Sequence, residues 1–198
     1  MKLLLLLSFV GLSYAFSPGM GMGNGRKVMS HIDFFNDLRR DFAKNNSIGD
    51  MWKLKWDKNL EQEAKNFNCS DFRPRPTYRY YLNDGGDEQK HLDKLIITWL
   101  MENDHNVTAM HSMFKKWEEK STANFLEIYN NLQRTMACHD IHCTFPKGDI
   151  TVVYRKVCLF GPSNKLGYYL PIDPKAGQPA GSKCGPSGKN DNGLCVPA

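Results

Sequence analysis

The stretch that decides the fold is residues 135–157, TMACHDIHCTFPKGDITVVYRKV. Thr135 to His142 and Thr151 to Val157 follow a period of two, so they read as strands. Pro146-Lys147-Gly148-Asp149 separates them, which predicts neighbours paired antiparallel. Leu166 to Leu170 has the composition for a further strand.

Working back from this stretch, the period is helical. Ile32, Phe35, Leu38 and Phe42 are spaced for one face of a first helix over about 28–44, and Ser30 with Asp33 resembles a capping box. Trp52, Leu54 and Trp56 alternate over a short extended entry. Asp57 then caps a second helix whose inner face holds Leu60, Ala64 and Phe67, with Cys69 just past its end. Arg73-Pro74-Arg75-Pro76 is not helical and opens an irregular, tyrosine-rich segment through Tyr81. Asn83-Asp84-Gly85-Gly86 reads as a turn. The strongest helical stripe follows over about 88–103, with Leu92, Leu95, Ile96 and Trp99. A shorter helix carries Met110, Met113, Phe114 and Trp117. A fifth starts at Ser121 or Thr122, with Phe125, Ile128, Tyr129 and Leu132 inward. Helices first and strands later predict an α+β domain with helices packed on a small antiparallel sheet.

Working outward to the ends, Lys2, the apolar run Leu3 to Val10 and the small residues around Ser13-Tyr14-Ala15 have the form of a signal peptide, residues 1–15. The run is too short to span a bilayer, and no later stretch is long and apolar enough. Residues 16–27 are rich in Gly and Met without a period and read as a flexible mature N-terminus. From Pro171 the chain is rich in Gly, Pro, Ser and Lys, and Cys184 and Cys195 are the only groups expected to hold that tail. The division is therefore 28–172 for the domain and 173–198 for the tail.

The chain has 198 residues and a formal net charge of +5, which falls by one when Lys2 is removed. The charges are interspersed, without the basic stripe of a nucleic-acid binder. Six cysteines remain: Cys69, Cys138, Cys143, Cys158, Cys184 and Cys195. An even count in a secreted chain reads as disulfides, and arithmetic alone leaves their pairing open. Asn45, Asn68 and Asn106 each open a glycosylation sequon, the second of which contains Cys69. All of these readings place the chain outside the cell.

The motifs add up to a family pattern. Met51-Trp52-Lys53-Leu54-Lys55-Trp56-Asp57, followed by Leu60, Ala64 and Cys69, resembles the second-helix signature of the CAP superfamily (SCP/TAPS), which holds cysteine-rich secretory proteins, antigen 5 and plant pathogenesis-related 1 proteins. Phe35-Asn36-Asp37-Leu38-Arg39 resembles its first-helix His-Asn-x-x-Arg. Trp99-Leu100-Met101-Glu102 resembles its Trp-x-x-Glu, and Val157-Cys158-Leu159-Phe160-Gly161-Pro162 its last strand and turn. The C-terminal cysteines look like the short tail of roundworm secreted members. The resemblance implies an α-β-α sandwich, with helices on both sides of the sheet. It also implies the pairing Cys69–Cys143 and Cys138–Cys158, which leaves Cys184–Cys195.

Many members of that family hold a divalent metal with two histidines and two glutamates. This chain departs from the pattern. Phe35 stands at the first histidine position and Asn124 at the second, where His-Phe-Thr-Gln becomes Asn124-Phe125-Leu126-Glu127; the family's Gly-Glu-Asn has no counterpart between Tyr78 and Leu82. Glu102 alone matches, so no metal and no other cofactor is expected. His31, one turn before Phe35, reads as a surface histidine. Cys138-His139-Asp140-Ile141-His142-Cys143 has zinc-type residues, but oxidised thiols are not ligands and strand alternation divides the four side chains between two faces. His91, His105 and His111 read as solvated. Tyr78, Tyr80 and Tyr81 beside arginine have the composition of an interface, against the simpler reading of a strand or loop packed over the core. Met110 and Met113 have the composition of an apolar groove lining, against the simpler reading of core packing.

The resulting expectation is a secreted, non-enzymatic domain that binds a lipid or sterol, or an extracellular protein, as a monomer or weak homodimer. The alternative is a secreted hydrolase or a metal-dependent binder working through Glu102.

Overall fold

A computed structural model describes residues 31–71, 75–83, 112, 124–147, 149–165, 167 and 177–198. The signal peptide, the Gly/Met-rich segment, the helix over 88–103 and most of the strand at 166–170 lie outside these residues.

Helix α1 runs His31–Asn45 and buries Phe35, Asn36, Arg39 and Ala43, while Ile32, Leu38 and Phe42 pack partly buried beside them. Strand β1 is the short Lys55–Trp56. Helix α2, Lys58–Lys65, starts where Asp57 accepts from the amides of Asn59 and Leu60 and so satisfies two otherwise unpaired donors. It buries Leu60 and Ala64. Strand β2 is Arg79–Asn83, a short 3-10 helix runs Asn124–Tyr129, and β3 (Thr135–Lys147) and β4 (Ile150–Gly161) form the long hairpin. Strands β5 (Gly188–Asp191) and β6 (Leu194–Pro197) form a second hairpin at the C-terminus.

The main sheet has the order β1-β3-β4-β2, antiparallel except for the parallel β1–β3 pair. Alternation along the strands sorts the core into two layers. Met136, Cys158, Phe160 and Tyr81 face one side, where Phe35 of α1 and Ile128 and Tyr129 of the 3-10 helix cover them. Ala137, Val157, Leu159, Tyr80 and Leu82 face the other, against Leu60 and Ala64 of α2. Helices thus pack on both faces of the sheet, an α-β-α sandwich.

Several details differ from the sequence reading. β3 begins at Thr135 as expected but runs on to Lys147, β4 is longer than expected at both ends, and an irregularity shifts their register between Asp140 and Cys143. Tyr78, Tyr80 and Tyr81 are buried, which agrees with the simpler reading of a segment packed over the core and sets aside the interface alternative. Asn83 pairs with Lys156 as the last residue of β2, and the rest of the expected turn, Asp84 to Gly86, lies outside the described residues. The 3-10 helix turns inward only as far as Tyr129; Leu132, expected inside, is 40% exposed.

The tail is the largest correction. Its disulfide joins Cys184 to Cys195, but this bridge is not all that holds it. Leu194 is fully buried among Ala43, Ile48 and Met51, and Trp52 packs on the Cys184–Cys195 bridge. The backbone is also stitched down: Cys195 donates to Met51 O, Lys53 donates to Cys195 O, and Lys183 donates to Gly49 O. Asn192 and Gly193, both with positive φ (52° and 95°), make the tight two-residue turn that brings β6 back onto β5. A tail poor in apolar residues docks because its one leucine fills a specific gap.

Two outcomes follow. Leu194→Ala should cost about 2–4 kcal/mol in chemical denaturation, the range for emptying a buried leucine site. Replacing Cys184 and Cys195 by serine should lower stability while leaving the 188–197 amides protected in hydrogen exchange, because the backbone bonds and Leu194 remain.

Candidate functional site

Of the three degraded cleft positions, only Phe35 has a described side chain. Asn124 begins the 3-10 helix, its side chain lies outside the described residues, and so does Glu102. Phe35 is 1% exposed, set edge-on to Phe160 at a ring separation of 5.9 Å and within the same cluster as Leu54, Tyr81 and Met136. A position where the resembling family places a polar ligand here belongs to a filled apolar layer.

His31 is exposed on the first turn of α1 and faces Lys156, whose ammonium donates to Nε2 at 2.8 Å. Burial, with Lys156 beside it, lowers its pKa below the usual histidine value; Asp140 opposes this from the far side of Lys156. The hexapeptide 138–143 is divided as its chemistry requires. Cys138 is bonded to Cys158 across the β3–β4 ladder, and Cys143 to Cys69 after α2, which leaves neither thiol to a metal. These are the pairs that the resemblance implies. Asn45 and Asn68 are exposed, and Asn68 Oδ1 accepts from the amide and hydroxyl of Ser70; Asn106 is outside the described residues.

The chemistry concentrates elsewhere, in a polar cluster that the sequence pattern concealed. Arg39 is completely buried on α1. Its Nε donates to Trp52 O at 2.9 Å, one terminal nitrogen to Ile128 O and Asn130 O at 2.6 and 3.1 Å, and the other to Gln133 O at 3.1 Å. Asn36, one turn before it, exchanges two hydrogen bonds with the backbone of Leu54. Burial lowers the Arg39 pKa to about 9, with Glu127 opposing, so the guanidinium remains charged at neutral pH.

Glu127 is also fully buried. It accepts from Arg79 Nε, from Asn130 Nδ2 at 3.1 Å and from Gln133 Nε2 at 3.1 Å. The same donors reach onward: Arg79 to Asn164 O, Asn130 to Lys165 O and Gln133 to Ser163 O. One carboxylate therefore organises β2, the turn after the 3-10 helix and the loop after β4. Burial raises its pKa, and Arg79 with the two amides pulls it back. Both Glu127 oxygens, all three Arg39 nitrogens and the Asn130 and Gln133 amides are committed to protein backbone or to another member. Among the described residues it reads as structural. Its sequence signal was Glu127, Asn130 and Gln133 recurring at steps of three beside Ile128, Tyr129 and Leu132.

No family model matches the chain, and no curated protein matches it. Among solved structures it is similar to the hookworm platelet inhibitor (16% identity, covering 89% of this chain and 97% of that one, TM-score 0.49) and to BmVAL-1 (15% identity, 89% and 98%, TM-score 0.35). Both are CAP/SCP-family proteins. At these identities and scores the likeness says nothing about ligand or activity.

Arg79→Met should leave the Glu127 carboxylate buried without its counter-charge and cost about 3–5 kcal/mol at neutral pH. The sign with pH is fixed by burial. Protonation removes the stranded charge, so part of the loss should return as pH falls toward 5, measured by denaturant midpoints at both pH values.

Proposed function

We propose that the chain is a secreted, non-enzymatic member of the CAP superfamily that acts by binding, with a lipid or sterol or an extracellular protein as its partner. The observation that carries this reading is Phe35. The residue standing at the family's first histidine position is 1% exposed and packed against Phe160, so it neither coordinates a metal nor moves a proton. The family assignment is supported by the ordered motifs from Phe35 to Pro162, by the three disulfides and by the helices on both faces of the sheet. Disulfides of this kind belong to an oxidising compartment, in keeping with the signal-peptide pattern at residues 1–15. Asn45 and Asn68, as exposed sequon residues, and Asn106 are its proposed glycan acceptors.

A hydrolase reading requires acid–base groups converging on a substrate. Only Glu102 matches the family's set, and the buried carboxylate Glu127 is fully occupied by Arg79, Asn130 and Gln133. Binding makes no such demand.

The test pairs two assays on protein secreted from a eukaryotic host. A peptidase and esterase screen should show no turnover that Glu102→Gln abolishes. Saturable, stoichiometric uptake of a fluorescent sterol or fatty acid would assign the lipid arm, and its absence would assign the protein arm. Turnover lost in Glu102→Gln would replace this reading with the hydrolase.

A further inference from the structure

Helix α2 ends at Lys65, and the chain just after it is pinned at three points. Phe67 packs edge-on to Tyr80 at a ring separation of 5.7 Å. The Asp71 amide donates to Asn68 O at 3.0 Å, which closes a turn over residues 68–71. Cys69, inside that turn, is bonded to Cys143, a fully buried residue of β3. The turn is the second sequon, Asn68-Cys69-Ser70. Asn68 Oδ1 accepts from the Ser70 amide at 2.9 Å and from the Ser70 hydroxyl at 2.8 Å.

Acceptor chemistry needs the opposite arrangement. A glycosyltransferase reads the sequon through its hydroxyl and draws the asparagine amide into its own site, so the tripeptide must reach it as free chain. In the folded protein the hydroxyl is committed to Asn68, and Cys69 is tethered to the sheet. The order of synthesis supplies the free chain for a limited time. Cys143 lies 74 residues after Cys69, so at about 5–20 residues per second it emerges roughly 4–15 s later. Disulfides form over seconds to hours. Two reactions then compete for one tripeptide. In the first, the Asn68 amide nitrogen bonds to the C1 carbon of a lipid-linked oligosaccharide, the polyprenyl pyrophosphate leaves with the bonding electrons, and an amide proton passes to solvent. In the second, the thiols of Cys69 and Cys143 exchange with the disulfide of an oxidoreductase, which leaves as a dithiol carrying their two electrons and two protons. Asn68 is exposed, so a glycan added first stays in solvent when the bridge closes later. The Asn45-Asn46-Ser47 sequon contains no cysteine and is free of this competition.

We propose that closure of the Cys69–Cys143 bridge ends glycan addition at Asn68, so that the chain is made in two forms, with and without a glycan beside the staple that joins α2 to β3. The proposal rests on the secreted reading above and names the control on one of its acceptors.

The full chain is translated in the presence of microsomes, and occupancy at each asparagine is read by enzymatic glycan release and peptide mass spectrometry. Asn68 should be partly occupied. Dithiothreitol during synthesis, or Cys143→Ser, should cut its unmodified fraction about twofold or more while Asn45 stays unchanged. All microsomal chain is counted, so a variant that fails to fold is still read. Occupancy at Asn68 that does not rise under either change would overturn the proposal, as would an equal rise at Asn45. A chain that stays outside the microsomes, unmodified at both asparagines, counts instead against secretion, and the same experiment with a heterologous leader then decides the role of the bridge.

Discussion

The guanidinium of Arg39 is the interaction on which the rest of the domain depends. It lies fully buried between α1 and the sheet and reaches carbonyls of Trp52, Ile128, Asn130 and Gln133, residues 13 to 94 positions away along the chain. Those carbonyls belong to the β-bridge at Trp52, the 3-10 helix at Ile128 and the turn at Asn130 to Gln133, outside the long strands of the sheet. A buried carbonyl left unpaired costs on the order of 1–3 kcal/mol, and a bond from a charged donor offsets that better than a neutral one. Desolvating the cation is itself costly, which the lowered pKa of about 9 records. The four bonds keep it charged and in place. From this point the β1 entry is fixed relative to α1, the 3-10 helix is fixed over the sheet, and the Glu127 cluster is fixed relative to both.

Glu127 extends the same logic to the other side of the turn. It draws Arg79, Asn130 and Gln133 together, and these hold the carbonyls of Ser163, Asn164 and Lys165. The described interior is rich in polar groups, and those groups secure loops. Phe35 completes the pattern by placing an aromatic ring where the resembling family has a ligand.

Most of the layer architecture was legible in the sequence. Period-two alternation in Thr135–His142 and Thr151–Val157 gave the central hairpin, and Asp57 announced α2, because both signals are local. The disulfide pairs came from the family resemblance; local chemistry left them open. What local pattern does not carry is long-range accounting of backbone polar groups. Arg39 sits on a helical face among apolar residues, and nothing near it in sequence says that its partners lie around positions 128–133. Leu194 was hidden for a related reason: one leucine in a Gly- and Lys-rich tail has no period, and its burial depends on a gap made by Ala43, Ile48 and Met51. Tyr80 and Tyr81 read as an irregular segment because alternation is invisible in a strand buried on both faces. Of the candidate site, the sequence identified the substitution at Phe35, and the packing around it says what that substitution does.

The central proposal is that this scaffold keeps its polar core and has given up the metal site of the family it resembles; among the described residues no group of histidines, cysteines and carboxylates could hold an ion. Calorimetric titration of zinc into the dialysed, disulfide-intact chain tests it most directly. The account predicts only weak heats with no stoichiometric site. A one-to-one isotherm of submicromolar affinity would contradict it.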